Sequence, residues 1–198
     1  MLLDVLVISL VVSFLKGGKV GRLAEIEFRK IWLIICPFLL QYVLFLSGEK
    51  SFPIFEKWGN YLYLLSYMLL LVGIWVNRNI KGMKILGCGA LLNFLVIVAN
   101  RGHMPVSLRA LEKAGLTDMM VFLKSKSYIM HTILSENTKL KFLADVIPLP
   151  PPYPRPRVVS VGDIIMGGGL FWLVQSYTKR KQRKERTNGY KDFVEENE

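Results

Sequence analysis

His103 and His131 are the only two histidines in the chain. Both fall in one stretch, residues 100–162, with Asn100, Arg101, Glu136, Asp145 and Arg157. Two imidazoles and a carboxylate are ligand types for a divalent metal, and two imidazoles can hold haem axially. The spacing adds little to the residue types. The histidines stand 28 positions apart, with no HExxH sequence and no pair at helical spacing, so no metal or cofactor is assigned. A hydrolase reading lacks a GxSxG elbow and a base for any serine. Cys36 and Cys88 lie inside apolar runs and supply neither a disulfide framework nor a CxxC motif. Arg101, Arg109, Arg155 and Arg157 suit lipid phosphate, although basic residues also line headgroup regions without selecting a ligand. Whether the chain is an enzyme stays open at this level.

The elements that must position these groups are apolar. The chain has 198 residues, is 52% hydrophobic and 21% charged, and carries a formal charge of +11. In a soluble protein that charge would suggest nucleic acid. Here the charges are segregated from long apolar stretches, which points to a polytopic membrane protein and away from a nucleic-acid binder. Five stretches qualify as spans: Met1–Leu15, Ile31–Leu46, Tyr61–Val76, Ile85–Ala99 and Ile164–Tyr177. Each is at or just under the roughly 17 residues needed to cross hydrocarbon, and flanking residues can extend them. The fold class is therefore an all-α bundle of about five transmembrane helices, with a partly helical insertion outside the membrane before the last one. Met-Leu-Leu-Asp precedes the first apolar run with an acid instead of a base, so that run reads as a retained span and not a cleaved signal.

Basic residues set the orientation. Lys16, Lys19, Arg22, Arg29 and Lys30 follow the first span, Arg78, Lys81 and Lys84 follow the third, and KRKQRKER follows the fifth. Lys50 and Lys57, between the second and third, are matched by Glu49 and Glu56. Alternate connections are thus basic, which places the N-terminus outside and the C-terminus in the cytoplasm. Residues 1–178 form the membrane domain of a plasma-membrane protein. Residues 179–198 form a basic and then acidic tail that can meet anionic lipid or simply fix topology.

Local signals organise the rest. Pro37 should kink the second span. Asn93 and Asn100 share a helix face and need partners, most simply an interhelical hydrogen bond. Gly167, Gly168 and Gly169 allow close helix approach. Ser160 and Asp163 have the spacing of a capping box. Outside the bundle, Ser107 caps a helix over Leu108–Ala114 closed by Gly115, and Thr117 caps another over Asp118–Lys124. Six of the nine prolines lie between Pro148 and Pro156, which predicts an extended polyproline strap leading back to the last span.

The motifs NRGHMPV, HTILSENTKLKFLADVIPLPPPYP and VVSVGD together resemble a family of small bacterial multi-pass membrane proteins of unknown function. That resemblance implies a membrane architecture and a bacterial origin, and carries over no catalytic residue. The expected function is a non-enzymatic membrane component that binds a partner protein or membrane lipid through residues 100–162, alone or as a homo-oligomer. The alternative is a membrane-embedded enzyme or cofactor protein using His103 and His131.

Overall fold

A computed structural model describes residues 1–50, 53–124 and 130–179. Five long helices occupy the expected apolar stretches: α1 (Leu2–Leu15), α2 (Trp32–Lys50), α3 (Pro53–Val76), α4 (Met83–Ala99) and, last in the chain, α7 (Val161–Thr178). Between α4 and α7 lie two short helices, α5 (Leu108–Lys113) and α6 (Thr117–Lys124). Four three-residue strands accompany them: β1 (Met104–Val106), β2 (His131–Ile133), β3 (Ile147–Leu149) and β4 (Arg157–Val159). The chain is therefore mostly helical but not all-α. Strands this short, with Pro105 and Pro148 inside two of them, leave no alternating pattern to detect. The tail from Arg180 onward lies outside the described residues.

Among the described residues, one helix is long and apolar enough by length and composition to cross a membrane, Lys57–Val76 within α3. The helices Leu2–Leu15, Trp32–Ser47 and Met83–Ala99 are apolar but shorter. The expected five spans thus reduce to one by this measure, because the apolar runs of this chain are cut close to the minimum length.

The five helices pack as a row: α2 on α3, α3 on α4, α4 on α7, and α7 on α1. The α4–α7 contact is the tightest. Gly82, which caps the start of α4, and Gly89 within it face Gly169 and Gly162 of α7; the latter two are seven residues apart and so share one helix face. A Cβ on Gly89 would collide with the Gly162 carbonyl oxygen and lie 2.6 Å from the Met166 nitrogen. At Gly82, the φ of +89° also requires glycine. Asn93 closes the end of this seam where α7 begins. Its Nδ2 donates to Asp163 at 3.0 Å, and its Oδ1 accepts from the Ser160 hydroxyl at 2.8 Å. The expected capping box is present, with the Asp163 N–H on Ser160 Oγ at 3.0 Å and the Ser160 N–H on Asp163 Oδ2 at 3.2 Å.

At the opposite end, Asn77 clamps the return from the first helix. It accepts from the Arg29 N–H at 2.8 Å and donates to the Arg29 carbonyl at 2.9 Å. Gln175 of α7 donates to the Ser9 carbonyl at 2.8 Å, tying α1 to α7.

The proline-rich stretch departs from expectation. It does not run as a strap: β3 and β4 pair antiparallel, Ile147 with Val159 and Leu149 with Arg157, so residues 150–156 form a turn between them. The expected α5 is present, its Ala110 N–H donating to Ser107 Oγ at 3.3 Å and Gly115 following at φ +74°.

Adjacent glycines in α7 give a controlled test of the seam. A Cβ at Gly169 would meet Leu86 and Gly82 backbone, whereas one at Gly168 meets nothing. Gly169→Ala should lower the stability of the purified chain by about 1–3 kcal/mol, as overpacking does. Gly168→Ala should be neutral or slightly stabilising, since alanine is the better helix former. Thermal unfolding of the two variants checks the contrast.

Candidate functional site

The residues singled out by type do not form one site. They separate into three places, all at the end of the bundle where α4 ends and α7 begins.

The first place is built around β1. Its three residues are flanked by β2 on one edge and by Asp145 on the other. Met104 pairs with His131, and Val106 bridges to Asp145. The Asp145 N–H donates to the Pro105 carbonyl at 2.9 Å, and the Ser107 N–H donates to the Asp145 carbonyl at 3.0 Å. This backbone frame brings the His131 Nε2 to 3.7 Å from Asp145 Oδ2, the histidine side chain about one-fifth exposed and the carboxylate one-tenth. Asp145 Oδ1 is buried without a hydrogen-bond donor among the described residues. Burial pushes the Asp145 carboxyl well above its usual range, with the negative charge of Asp163 adding to it. Burial also lowers the His131 imidazole to about 4, helped by the nearby charge of His103. Burial thus disfavours the charged form of both members of the pair.

The second place is an open cavity of about 710 Å³ between the end of α4 and residues 132–139. Arg101, His103 and Lys139 line it with Thr132, Ser135, Asn137 and Thr138. No carboxylate contributes to the lining. Glu136, expected as a participant, is exposed and does not line it. Asn100 borders the cavity but acts as a clamp: it donates to the Val96 and Lys139 carbonyls at 2.8 and 2.9 Å and accepts from the Lys139 N–H at 3.0 Å. Those bonds, with the Gly102 N–H on the Ile97 carbonyl at 2.9 Å, occupy carbonyls at the end of α4 that would otherwise attract cations.

The third place holds Arg157, which is removed from both histidines. Its Nη2 lies 3.1 Å from Asp4 at the start of α1, and Arg155 reaches the other oxygen of that carboxylate at 3.2 Å. The Tyr153 hydroxyl donates to Asp4 at 2.9 Å. Arg155 and Arg157 are therefore committed to fastening the proline-rich turn onto the first helix.

Sequence reasoning missed Lys139 and the hydroxyl residues of the cavity. One signal was present in Ser135-Glu136-Asn137-Thr138, a turn-forming cluster whose Ser135 N–H donates to Thr138 Oγ1 at 2.8 Å. As for metal, no group of three or more potential ligand side chains is assembled among the described residues. His131 and Asp145 are a close pair of ionisable groups, 3.7 Å apart.

The buried pair makes a pH prediction with a definite sign. His131 is lowered to about 4 from an ordinary 6.5, so the unfolded chain binds a proton between those values that the folded chain refuses. Its effect is to remove stability as pH falls from 6.5, levelling near 4. At pH 5.5 the loss is at most about 1.4 kcal/mol, one unit of difference, reduced by the partial exposure of the ring. Asp145 acts oppositely: its raised value favours the folded state fully below its ordinary range, and that contribution is lost as pH rises through the folded value. His131→Gln should remove only the first effect. The wild type should therefore lose melting temperature relative to His131→Gln by about 2–4 °C between pH 7 and 5.5, read by thermal unfolding at each pH.

The family model described as "Family of unknown function (DUF5317)" matches residues 25–175. An uncharacterised protein of Thermotoga maritima is 34% identical over 172 residues, covering 86% of this chain and 88% of the relative. No solved structure matches. The matched region contains both histidines, the lined cavity and the glycine seam, and neither description assigns an activity. The chain belongs to the DUF5317 family, a family of unknown function.

Proposed function

We propose that the chain is a multi-pass plasma-membrane protein without catalysis of its own, whose outer segment binds an anionic lipid headgroup in the cavity lined by Arg101, His103 and Lys139. The membrane part of this reading is carried by the large apolar side chains left on the outside of the bundle, with polar side chains among those inside it. Ser9, Ser13, Ser66, Asn93, Gln175 and Thr178 are buried inside the bundle, while Phe14, Leu15, Leu39, Trp75, Leu91 and Trp172 are exposed on its outside. Water would penalise such a surface, whereas hydrocarbon accepts it and leaves polar side chains to bond between helices.

The ends of α3 support the same reading. Lys57 lies 5.6 Å from the Trp58 ring, Trp58 lies 5.8 Å from Tyr61, and Arg78 lies 4.7 Å from the Trp75 ring. Aromatic rings paired with cations suit the two interfaces, and the 17 steps of helical rise from Trp58 to Trp75 span about 26 Å, close to the hydrocarbon thickness. In this placement α1, α2, α4 and α7 are the other crossings, shortened helices extended by their flanks. The bases of residues 16–30 and 78–84 lie inside, and Asp4, Asn100 and Ser160 lie outside.

The ligand part rests on the cavity lining, two cations and a histidine with hydroxyl and amide groups and no acid. Such a lining favours phosphate or another anion. A second reading, acid–base chemistry at His131 with Asp145 behind it, draws on their 3.7 Å approach.

Two experiments test the proposal. In a Cys36→Ala/Cys88→Ala background, Ser135→Cys should react with a membrane-impermeant maleimide added outside intact cells; reaction only after lysis would refute the orientation. Isothermal titration of the purified chain with short-chain phosphatidylglycerol should show salt-sensitive binding. Arg101→Gln/Lys139→Gln should weaken it about tenfold, and equal binding of short-chain phosphatidylcholine would refute headgroup recognition.

A further inference from the structure

The row of helices is open on one side. α1 packs on α7 and on a short 3-10 turn at Val20–Glu25, whereas α2 packs on α3, and α1 and α2 make no extensive contact with each other among the described residues. The crevice between them has a volume of about 440 Å³. Leu2 and Leu6 form one wall and Ile34 and Phe38 the other, with Leu70 and Leu173 at its back. Its lining is apolar throughout.

The connection from α1 to α2 closes one end of the crevice, and it has two faces. Leu23, Ile26 and Phe28 line the crevice. Interleaved with them are Lys19, Arg22, Arg29 and Lys30, against Glu25 and Glu27. Arg22 donates to the Lys179 carbonyl at 3.1 Å, while Lys19, Arg29 and Lys30 are exposed. A dry slot that ends among surplus cations has the polarity of one lipid tail beneath one anionic headgroup. The volume falls within the range of small-molecule sites, roughly 300–1,000 Å³. It is too small for two turns of a helix about 10 Å across, so a helix from a second copy does not fit.

We infer that the crevice between α1 and α2 binds a single acyl chain of an anionic glycerophospholipid of the inner leaflet, its phosphate held by Lys19, Arg29 and Lys30. This inference rests on the membrane placement proposed above, and not on the outer cavity.

The test is native mass spectrometry of the full chain purified in mild detergent and supplied with long-chain phosphatidylglycerol or phosphatidylcholine. The Arg101→Gln/Lys139→Gln background removes the outer cavity from the comparison. One retained phosphatidylglycerol is expected, with at least fivefold less retention of phosphatidylcholine. Leu6→Trp, or Ile34→Trp should the first fail to fold, should fill the crevice and abolish retention. Lys19→Gln/Arg29→Gln/Lys30→Gln should remove the preference for the anionic lipid while leaving some retention of both. Chain-free glycerol phosphate should not compete. Retention unchanged in both tryptophan variants, no preference between the lipids, competition by glycerol phosphate, or a lipid-free dimer would overturn the inference. A chain that stays dissolved without detergent would instead overturn the membrane placement itself.

Discussion

Antiparallel helices α4 and α7 meet backbone to backbone, and the placement of everything beyond them follows from that contact. Gly82 and Gly89 on one helix, with Gly169 and Gly162 on the other, let carbonyls and amides approach where any side chain would separate them. The stretch that carries both histidines starts at the end of α4 and finishes at the start of α7. Its two ends are therefore fixed relative to one another before any of its own contacts form. Asn93 completes the constraint, since one amide engages both Ser160 and Asp163 where α7 begins.

From that base the segment between α4 and α7 is fastened at two further points. Asn100 holds Lys139 by both of its backbone groups, and Asp4 gathers Tyr153, Arg155 and Arg157. Between the fasteners, His131 and Asp145 are largely shielded from water, while Arg101, His103 and Lys139 line an open cavity close by. The two are neighbours, since His103 is near enough for its charge to act on the His131 imidazole.

Much of this was legible locally and little of it at long range. Ser107, Ser160 and Asp163 sit at fixed offsets from the helices they cap, so their roles follow from spacing alone. The apolar runs locate all five long helices. Their lengths do not establish five crossings, because length and composition qualify only part of α3. The triple glycine of α7 drew notice for its density, yet only Gly169 of the three meets α4 closely; Gly167 lies near Val5, and Gly168 meets nothing. The working partners Gly82, Gly89 and Gly162 are single glycines seven apart or far along the chain, which no local window joins. The proline cluster misled for a related reason. Proline fixes φ but not the direction of the next turn, so a stretch suited to an extended strap also suits the link between two paired strands. Arg157 was grouped with the histidines on residue type, and only the position of α1 reveals that its partner is Asp4.

The circuit of helices also has a temporal side. α1 is translated before any other helix described here, yet it packs against α7, the last of them. Until α7 has been made, the Ser9 carbonyl lacks its donor from Gln175, and Asp4 waits for Tyr153, Arg155 and Arg157. Contacts this distant along the chain close slowly, because the intervening loop must first lose its freedom. A nascent chain halted before Tyr153 would consequently hold an unmoored first helix whose Asp4 carboxylate meets the Met1 amino group at 3.5 Å but none of its three later partners, a molecular mark by which unfinished copies differ from finished ones.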